Sequence, residues 1–292
     1  DKGIRHIVIV AFSAVYQSHK KIISEGKSIR KRKHRNGFHN PLVPFAERRD
    51  IVMKCIAIVT GVASGMGKYI AQELAKRGIK VFGVDIKKVT IDKVECYVCD
   101  VSNEKQVVSF IKQVENLSGR VDYLINVAGV LCYKERNYIE ILATEEWKKV
   151  FEINVDSVFY MIKYTIPLLK KSDSASIVNF STDQVKKVKA KSAPYAVTKA
   201  AVEMLTKIVA LELIKDHIRV NAIEFASVDT NFIKNYVAND LRMEEMIKET
   251  DNHMPYGIIK VEDAWQMVEY LIRKDNKMTG QILLIDSGTT LM

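Results

Sequence analysis

Thr60-Gly61-Val62-Ala63-Ser64-Gly65-Met66-Gly67 is the stretch that decides the fold of this 292-residue chain. The apolar run Cys55-Ile56-Ala57-Ile58-Val59 leads into it and reads as a buried parallel strand. Lys68 to Arg77 leads out of it as a helical pattern stopped by Gly78. Strand, glycine turn and helix in that order form the first half of a dinucleotide-binding βαβ unit. Gly61 permits the tight turn, Gly65 lets the backbone approach a pyrophosphate, and Gly67 lets the helix sit close to the sheet. Ser64 and Met66 belong to the helix N-terminus, whose free N–H groups and partial positive charge suit phosphates. The next apolar run, Lys80-Val81-Phe82-Gly83-Val84, ends in Asp85. An acid there accepts hydrogen bonds from both ribose hydroxyls of NAD and repels the 2′-phosphate of NADP. Lys87 and Lys88 are close enough in sequence to keep NADP open as the alternative.

Apolar runs and helical patterns alternate from residue 54 onward. Strands are expected at 55–59, 80–84, 94–99, 122–127, 175–181, 217–223 and 281–285. Helices are expected at 66–77, 103–117, 144–170, 194–214 and 261–273. Such alternation implies an α/β fold: a doubly wound, Rossmann-like parallel sheet in three α/β/α layers, forming a single domain over 53–292. Ligands of that architecture bind beyond the strand C-termini, near the topological switch point. Ile86–Lys93 is too short for a full crossover helix. Asp229–Ile259 is the longest irregular stretch and reads as a substrate-covering lid.

Charge is unevenly spread. Residues 1–52 hold twelve Lys/Arg against four Asp/Glu, most of the chain's net charge of +10, so residues 53–292 are almost neutral. The first 52 residues read as a basic extension, artefactual or poorly ordered, before a natural start at Met53. Targeting and a functional arm are the other readings of that segment. The basic run Arg30–Arg35 lacks interleaved aromatics and any reader motif, which argues against nucleic acid. No apolar run reaches the roughly 18–20 residues of a membrane span. Cys96 and Cys99 lie three apart on one expected strand and face opposite sides, so they suit neither one disulfide nor one metal. Free thiols fit a cytoplasmic protein, and no metal site is expected.

The second informative stretch is Tyr195-Ala196-Val197-Thr198-Lys199. Positions i and i+4 share a helical face. A nearby ammonium favours the phenolate and draws the tyrosine pKa toward working pH, which makes Tyr195 a general acid/base.

Taken together, these segments resemble the short-chain dehydrogenase/reductase family over residues 54–290. The resemblance rests on Thr60–Gly67, Asp100-Val101, Asn126-Val127-Ala128-Gly129, Asn154-Val155, Ser181-Thr182 and Tyr195-x-x-x-Lys199. It continues through Arg219-Val220-Asn221-Ala222, Val228-Asp229-Thr230 and Thr279-Gly280-Gln281. It implies that Tyr195 exchanges a proton with the substrate oxygen. Lys199 would lower the Tyr195 pKa and hold the nicotinamide ribose. Asn154 would kink its helix and anchor a water linking Lys199 to solvent. The hydroxyl that orients the substrate would come from Thr182, with Ser181 as the fallback. Asp100 and Val101 would flank the adenine, and Asn126, Ala128 and Gly129 would support the central strand and line the cofactor. Val228 and Thr230 match the positions that bind the carboxamide. Two departures stand out. Val127 replaces the usual second asparagine, and Phe225-Ala226 replaces the usual Pro-Gly, where Phe225 could pack on the nicotinamide.

Asp183, Gln184, Glu224 and His253 give the expected pocket a polar character that suits a polyhydroxylated small molecule. The Ser181–Gln184 pattern, the short second-to-third strand link, the missing Pro-Gly and His253 resemble archaeal aldohexose dehydrogenases of the same family. The implied reaction is hydride transfer between NAD, or NADP, and a secondary alcohol or hemiacetal carbon, such as an aldohexose giving a lactone. Reduction of a carbonyl or ketoacyl substrate is an alternative, as is a non-catalytic NAD-binding regulator. The resemblance also implies a homo-oligomer, a tetramer or a dimer, through the helices at 144–170 and 194–214.

Overall fold

The computed structural model describes residues 55–230 and 254–292. The basic extension, most of the expected lid and His253 lie outside the described residues. The glycine turn is framed by β1 (Ile56–Thr60) and α1 (Gly65–Lys76), followed by β2 (Lys80–Asp85) and β3 (Val94–Val98). Then come α2 (Glu104–Ser118), β4 (Tyr123–Asn126), α3 (Thr144–Phe151), α4 (Ser157–Leu169) and β5 (Ser176–Thr182). The last elements are α5 (Ala193–Glu212), β6 (Arg219–Phe225), α6 (Val261–Ile272) and β7 (Ile282–Ile285). Every pairing among these seven described strands is parallel, in the order β3-β2-β1-β4-β5-β6-β7. The order reverses between β1 and β4, which opens a crevice at their C-terminal ends.

Side-chain alternation along the buried strands sorts the core into two layers. Ile58, Phe82, Leu124, Ile177 and Val220 face α2, α4 and α5. Val59, Val81, Ile125, Val178 and Ile223 face α1 and α6. Cys96 packs with the second layer and Cys99 with the first, and all four cysteines are free. The opposed cysteine faces expected from strand periodicity are therefore present. Residues 86–93 hold no helix, as their length dictated.

The helix expected over 144–170 is divided. A π-helical turn, Glu152–Asp156, separates α3 from α4. An extra residue in a turn is not visible in a 3.6-residue pattern, and such turns cluster at functional sites.

A polar chain crosses the interior. Asn126 Nδ2 donates to Asn179 Oδ1 (2.8 Å), Asn179 Nδ2 to Thr206 Oγ1 (2.9 Å), and Thr206 Oγ1 to Val202 O (2.7 Å). It ties β4 to β5 and β5 to α5. All three side chains are buried, so breaking the middle link strands polar groups away from water. Asn179→Ala is expected to destabilise the fold by about 2–3 kcal/mol, read from urea unfolding. A change below about 0.5 kcal/mol would show the chain to be dispensable.

Candidate active site

A cleft of about 650 Å³ opens at the C-terminal ends of the strands. Its floor is the glycine turn. Gly61 has a φ of 76°, and a Cβ there would stand 3.0 Å from Ala128 Cα. A Cβ on Gly67 would stand 2.2 Å from Gly61 O, so only glycine lets α1 start this close to the end of β1. Thr60 Oγ1 accepts from the N–H groups of Val127 and Ala128, both at 3.0 Å. That bond pins the start of the β4 loop against the turn, and sequence reading had assigned Thr60 no role. Ser64, Gly65, Met66 and Gly67 line the cleft. Ser64 makes no capping bond and the first turn of α1 holds no acid, so the helix N-terminus keeps its attraction for anions.

Asp85 and Asp100 mark one end of the cleft. Asp85 Oδ2 accepts from Ala63 N (2.9 Å) and Oδ1 from Lys87 N (3.0 Å), which ties β2 to the glycine turn. Asp100 Oδ1 accepts from the Ser102 backbone N–H (2.9 Å) and hydroxyl (2.7 Å). Val101, Ala128, Gly129, Val228 and Thr230 line the same cleft. Asn126 does not: it is buried behind the wall and serves the polar chain described above.

Tyr195 and Lys199 occupy the inner face of α5 and both line the cleft. The Lys199 ammonium lies 6.0 Å from the Tyr195 ring centroid and donates to Phe180 O at 2.9 Å. Burial lowers its pKa from 10.5 to about 8. Gly129 makes room for it, since a Cβ there would approach Lys199 Nζ to 3.4 Å and Asn154 Oδ1 to 3.1 Å. Asn154 sits in the π-helical turn. Its Oδ1 accepts from Val130 N (2.8 Å), and its Nδ2 donates to Val130 O (2.9 Å) and Thr198 Oγ1 (3.1 Å). The kink expected at Asn154 is thus a π turn locked onto the β4 loop and α5.

Thr182 ends β5 at the cleft. Its hydroxyl donates to Asp183 Oδ1 (3.2 Å) and accepts from Gln184 N (3.4 Å). Asp183 and Gln184 also line the cleft. Burial raises the Asp183 pKa, opposed by Lys189 and by the Thr182 hydroxyl. Ser181 lines the cleft too, and its hydroxyl donates to Glu203 Oε1 at 2.5 Å. Phe225 stacks on Phe180, ring centroids 5.6 Å apart, and both rings line the cleft.

Glu224 needs correction as a substrate residue. It is fully buried, does not line the cleft, and is ion-paired with Lys186 on the α5 side of the sheet. Strand alternation is the reason: Phe225 faces one side and Glu224 the other. The carboxyl of Glu203, a residue of α5, is pushed up to about 7, by burial first and then, against the Ser181 hydrogen bond, by Glu224. Arg136, Lys149 and Lys189 line the cleft and were not anticipated. They lie in loops or on a helix flank, where no periodicity marks them.

The residues present fit a nicotinamide dinucleotide. An uncapped helix N-terminus meets a glycine floor that added side chains would fill, with a carboxylate one strand away. A parallel sheet with that crevice, and a tyrosine and a buried lysine one helical turn apart at its rim, define an NAD(P)-dependent dehydrogenase/reductase. The chain belongs to the short-chain dehydrogenase/reductase family: the family model described as enoyl-(acyl carrier protein) reductase matches residues 61–290. It is 29% identical over 253 residues to 2,3-dihydro-2,3-dihydroxybenzoate dehydrogenase of Bacillus subtilis, covering 81% of this chain and 96% of that one. The ligand-free aldohexose dehydrogenase of Thermoplasma acidophilum superimposes with a TM-score of 0.76 at 28% identity, covering 82% and 95%. The 3-ketoacyl-(acyl-carrier-protein) reductase of Brucella melitensis, complexed with NADH, gives 0.72 at 26%, covering 81% and 98%. No helix among the described residues is long and apolar enough to cross a membrane, and these residues hold no cluster suited to a metal ion.

The depressed Lys199 pKa sets a pH dependence of folding. Between about 8 and 10.5 the unfolded chain holds the proton and the folded chain does not. The Lys199 contribution to stability therefore rises with pH across that window, full above 10.5 and lost as pH falls to about 8, while the buried Cys99 and Cys132 thiols, pushed up to about 11, contribute in the opposite direction. In the ligand-free protein, Lys199→Met is expected to lose stability more steeply than the wild type as pH rises from about 8 to 10.5, read as the urea midpoint of each protein at stepped pH. Parallel curves for the two proteins would contradict the buried ammonium.

Proposed function

We propose that residues 53–292 form the catalytic domain of an NAD-preferring dehydrogenase that oxidises a secondary alcohol or hemiacetal carbon of a polyhydroxylated small molecule, an aldohexose first. The observation that carries this reading is the buried Lys199 ammonium near the Tyr195 ring, in one cleft with Thr182–Gln184. The ammonium favours the phenolate, so Tyr195 takes the proton of the substrate hydroxyl at working pH. Thr182 orients the substrate oxygen, and Asp183 and Gln184 accept the remaining hydroxyls. Asn154 fixes the loop that backs Lys199. A bound nicotinamide would supply the hydride acceptor. Lys199 would also hold its ribose, and Val228 and Thr230 its carboxamide. Gly61–Gly67 would hold the pyrophosphate, and Asp85 with Asp100-Val101 the adenosine.

The likeness to the Thermoplasma acidophilum aldohexose dehydrogenase supports the sugar reading. The likeness to the Brucella melitensis ketoacyl reductase favours carbonyl reduction as the second reading. Four free cysteines fit a cytoplasmic enzyme. The homo-oligomer reading, tetramer or dimer, is supported by the outer face of α5, where Val197, Met204, Ile208 and Leu211 are exposed at helical spacing.

Turnover of an aldose panel with NAD⁺ and NADP⁺, set beside reduction of ketoacyl thioesters, separates the two readings. Tyr195→Phe is expected to lower turnover by about 10²-fold or more while sparing most cofactor affinity. Near-normal turnover in that variant excludes the mechanism. Asp85→Ala is expected to narrow the preference for NAD⁺ over NADP⁺. Wild-type protein that uses NADP⁺ as efficiently as NAD⁺ would overturn the cofactor assignment.

A further inference from the structure

Arg136 lies in the irregular segment between β4 and α3 and lines the cleft. Its Nε donates to Lys191 O (3.2 Å) and its Nη2 to Ala190 O (3.5 Å). Both partners are neutral carbonyls on the loop between Thr182 and Tyr195. They hold the guanidinium in place without neutralising it. Among the described residues no carboxylate pairs with it and nothing accepts from Nη1. Burial pulls its pKa below the ordinary guanidinium range, and the groups whose charge opposes that are Cys132 and Tyr195. The guanidinium therefore stands within electrostatic reach of the proposed acid/base.

The cations around it are already engaged. Lys186 pairs with Glu224, and Lys187 donates to Thr289 O at 2.6 Å. Lys191 lies over the Tyr138 ring at 4.8 Å, and Lys134 pairs with Glu145 at 3.3 Å. Lys189 lines the cleft, and its charge acts on the buried Asp183. Of these cations Arg136 is the one that lines the cleft with no carboxylate partner among the described residues, since Lys134, Lys186, Lys187 and Lys191 do not line it and Lys189 acts on Asp183. A partly desolvated cation without an anion is costly, and the cost is relieved when a ligand brings the anion.

We propose that Arg136 anchors a carboxylate of the substrate, so that the enzyme acts on a hydroxy acid with its carbinol carbon at Tyr195. In the aldose reading this is a uronate rather than a neutral sugar. A carboxylate is planar and presents two acceptors to the paired N–H groups that the guanidinium has left. It also carries the single charge that balances the guanidinium. A phosphate dianion would bring a second charge that the one guanidinium does not match. The inference rests on Tyr195 marking the reacting carbon, but the anion site itself is measurable without turnover.

The test is calorimetric titration of the NAD⁺-saturated protein with cyclohexanecarboxylate, cyclohexanecarboxamide and cyclohexyl phosphate, none of which has a carbinol to oxidise. The carboxylate is expected to bind about tenfold tighter than the amide, the scale of one charge-assisted hydrogen-bond pair. Arg136→Met should bring the two to parity, and Arg136→Lys should keep part of the preference, each with an unchanged melting temperature. Equal binding of acid and amide overturns the proposal, as does absence of carboxylate binding. So does a preference that survives in Arg136→Met, or tighter binding of the phosphate. Tyr195→Phe should leave the preference intact. Full turnover by Tyr195→Phe beside an Arg136-dependent preference would reject the mechanism and keep the anion site; the opposite pattern rejects the anion site alone.

Discussion

The buried ammonium of Lys199 is the group around which the site is assembled. A lysine at 6% exposure is destabilised as a cation unless its charge is satisfied locally. Phe180 O satisfies part of that demand from the end of β5. The rest of the arrangement exists to keep the ammonium there. Gly129 has no side chain to displace it, and Asn154 closes the space behind it by binding both backbone groups of Val130. The π-helical turn sets Asn154 at the depth those bonds require. The price is an α3–α4 helix broken in its middle.

The cleft is asymmetric in charge, and the asymmetry comes from the backbone as much as from side chains. An uncapped helix N-terminus supplies positive potential at the floor. Asp85 supplies negative charge at one end, while Arg136 and Lys189 supply positive charge on the substrate side. A dinucleotide and a small polar molecule have complementary places in such a field. The stacked Phe180–Phe225 pair lines the cleft, and Phe225-Ala226 stands where the family resemblance implies Pro-Gly.

Most of the fold was legible in the sequence because parallel strands buried on both faces read as short apolar runs. All seven strands and five helical stretches were placed within a few residues. The short β2–β3 link followed from chain length alone. The miss at 144–170 has a physical cause: a π turn leaves no mark on hydrophobic periodicity. Glu224 was misplaced for a related reason. At a strand end, proximity in sequence to Phe225 says nothing about which face a side chain takes, and Glu224 turned to α5 and Lys186.

By itself the sequence determined the βαβ glycine turn, the Tyr195–Lys199 spacing and the Asp85 position, because each is a local geometry fixed by a few adjacent residues. Only the tertiary structure decided which polar groups share the cleft. Arg136 is held by carbonyls of Ala190 and Lys191, more than fifty residues along the chain. Thr60 meets Val127 and Ala128 across the switch point. Contacts at that separation depend on strand order and register, which arise when the whole sheet closes and are written in no single stretch.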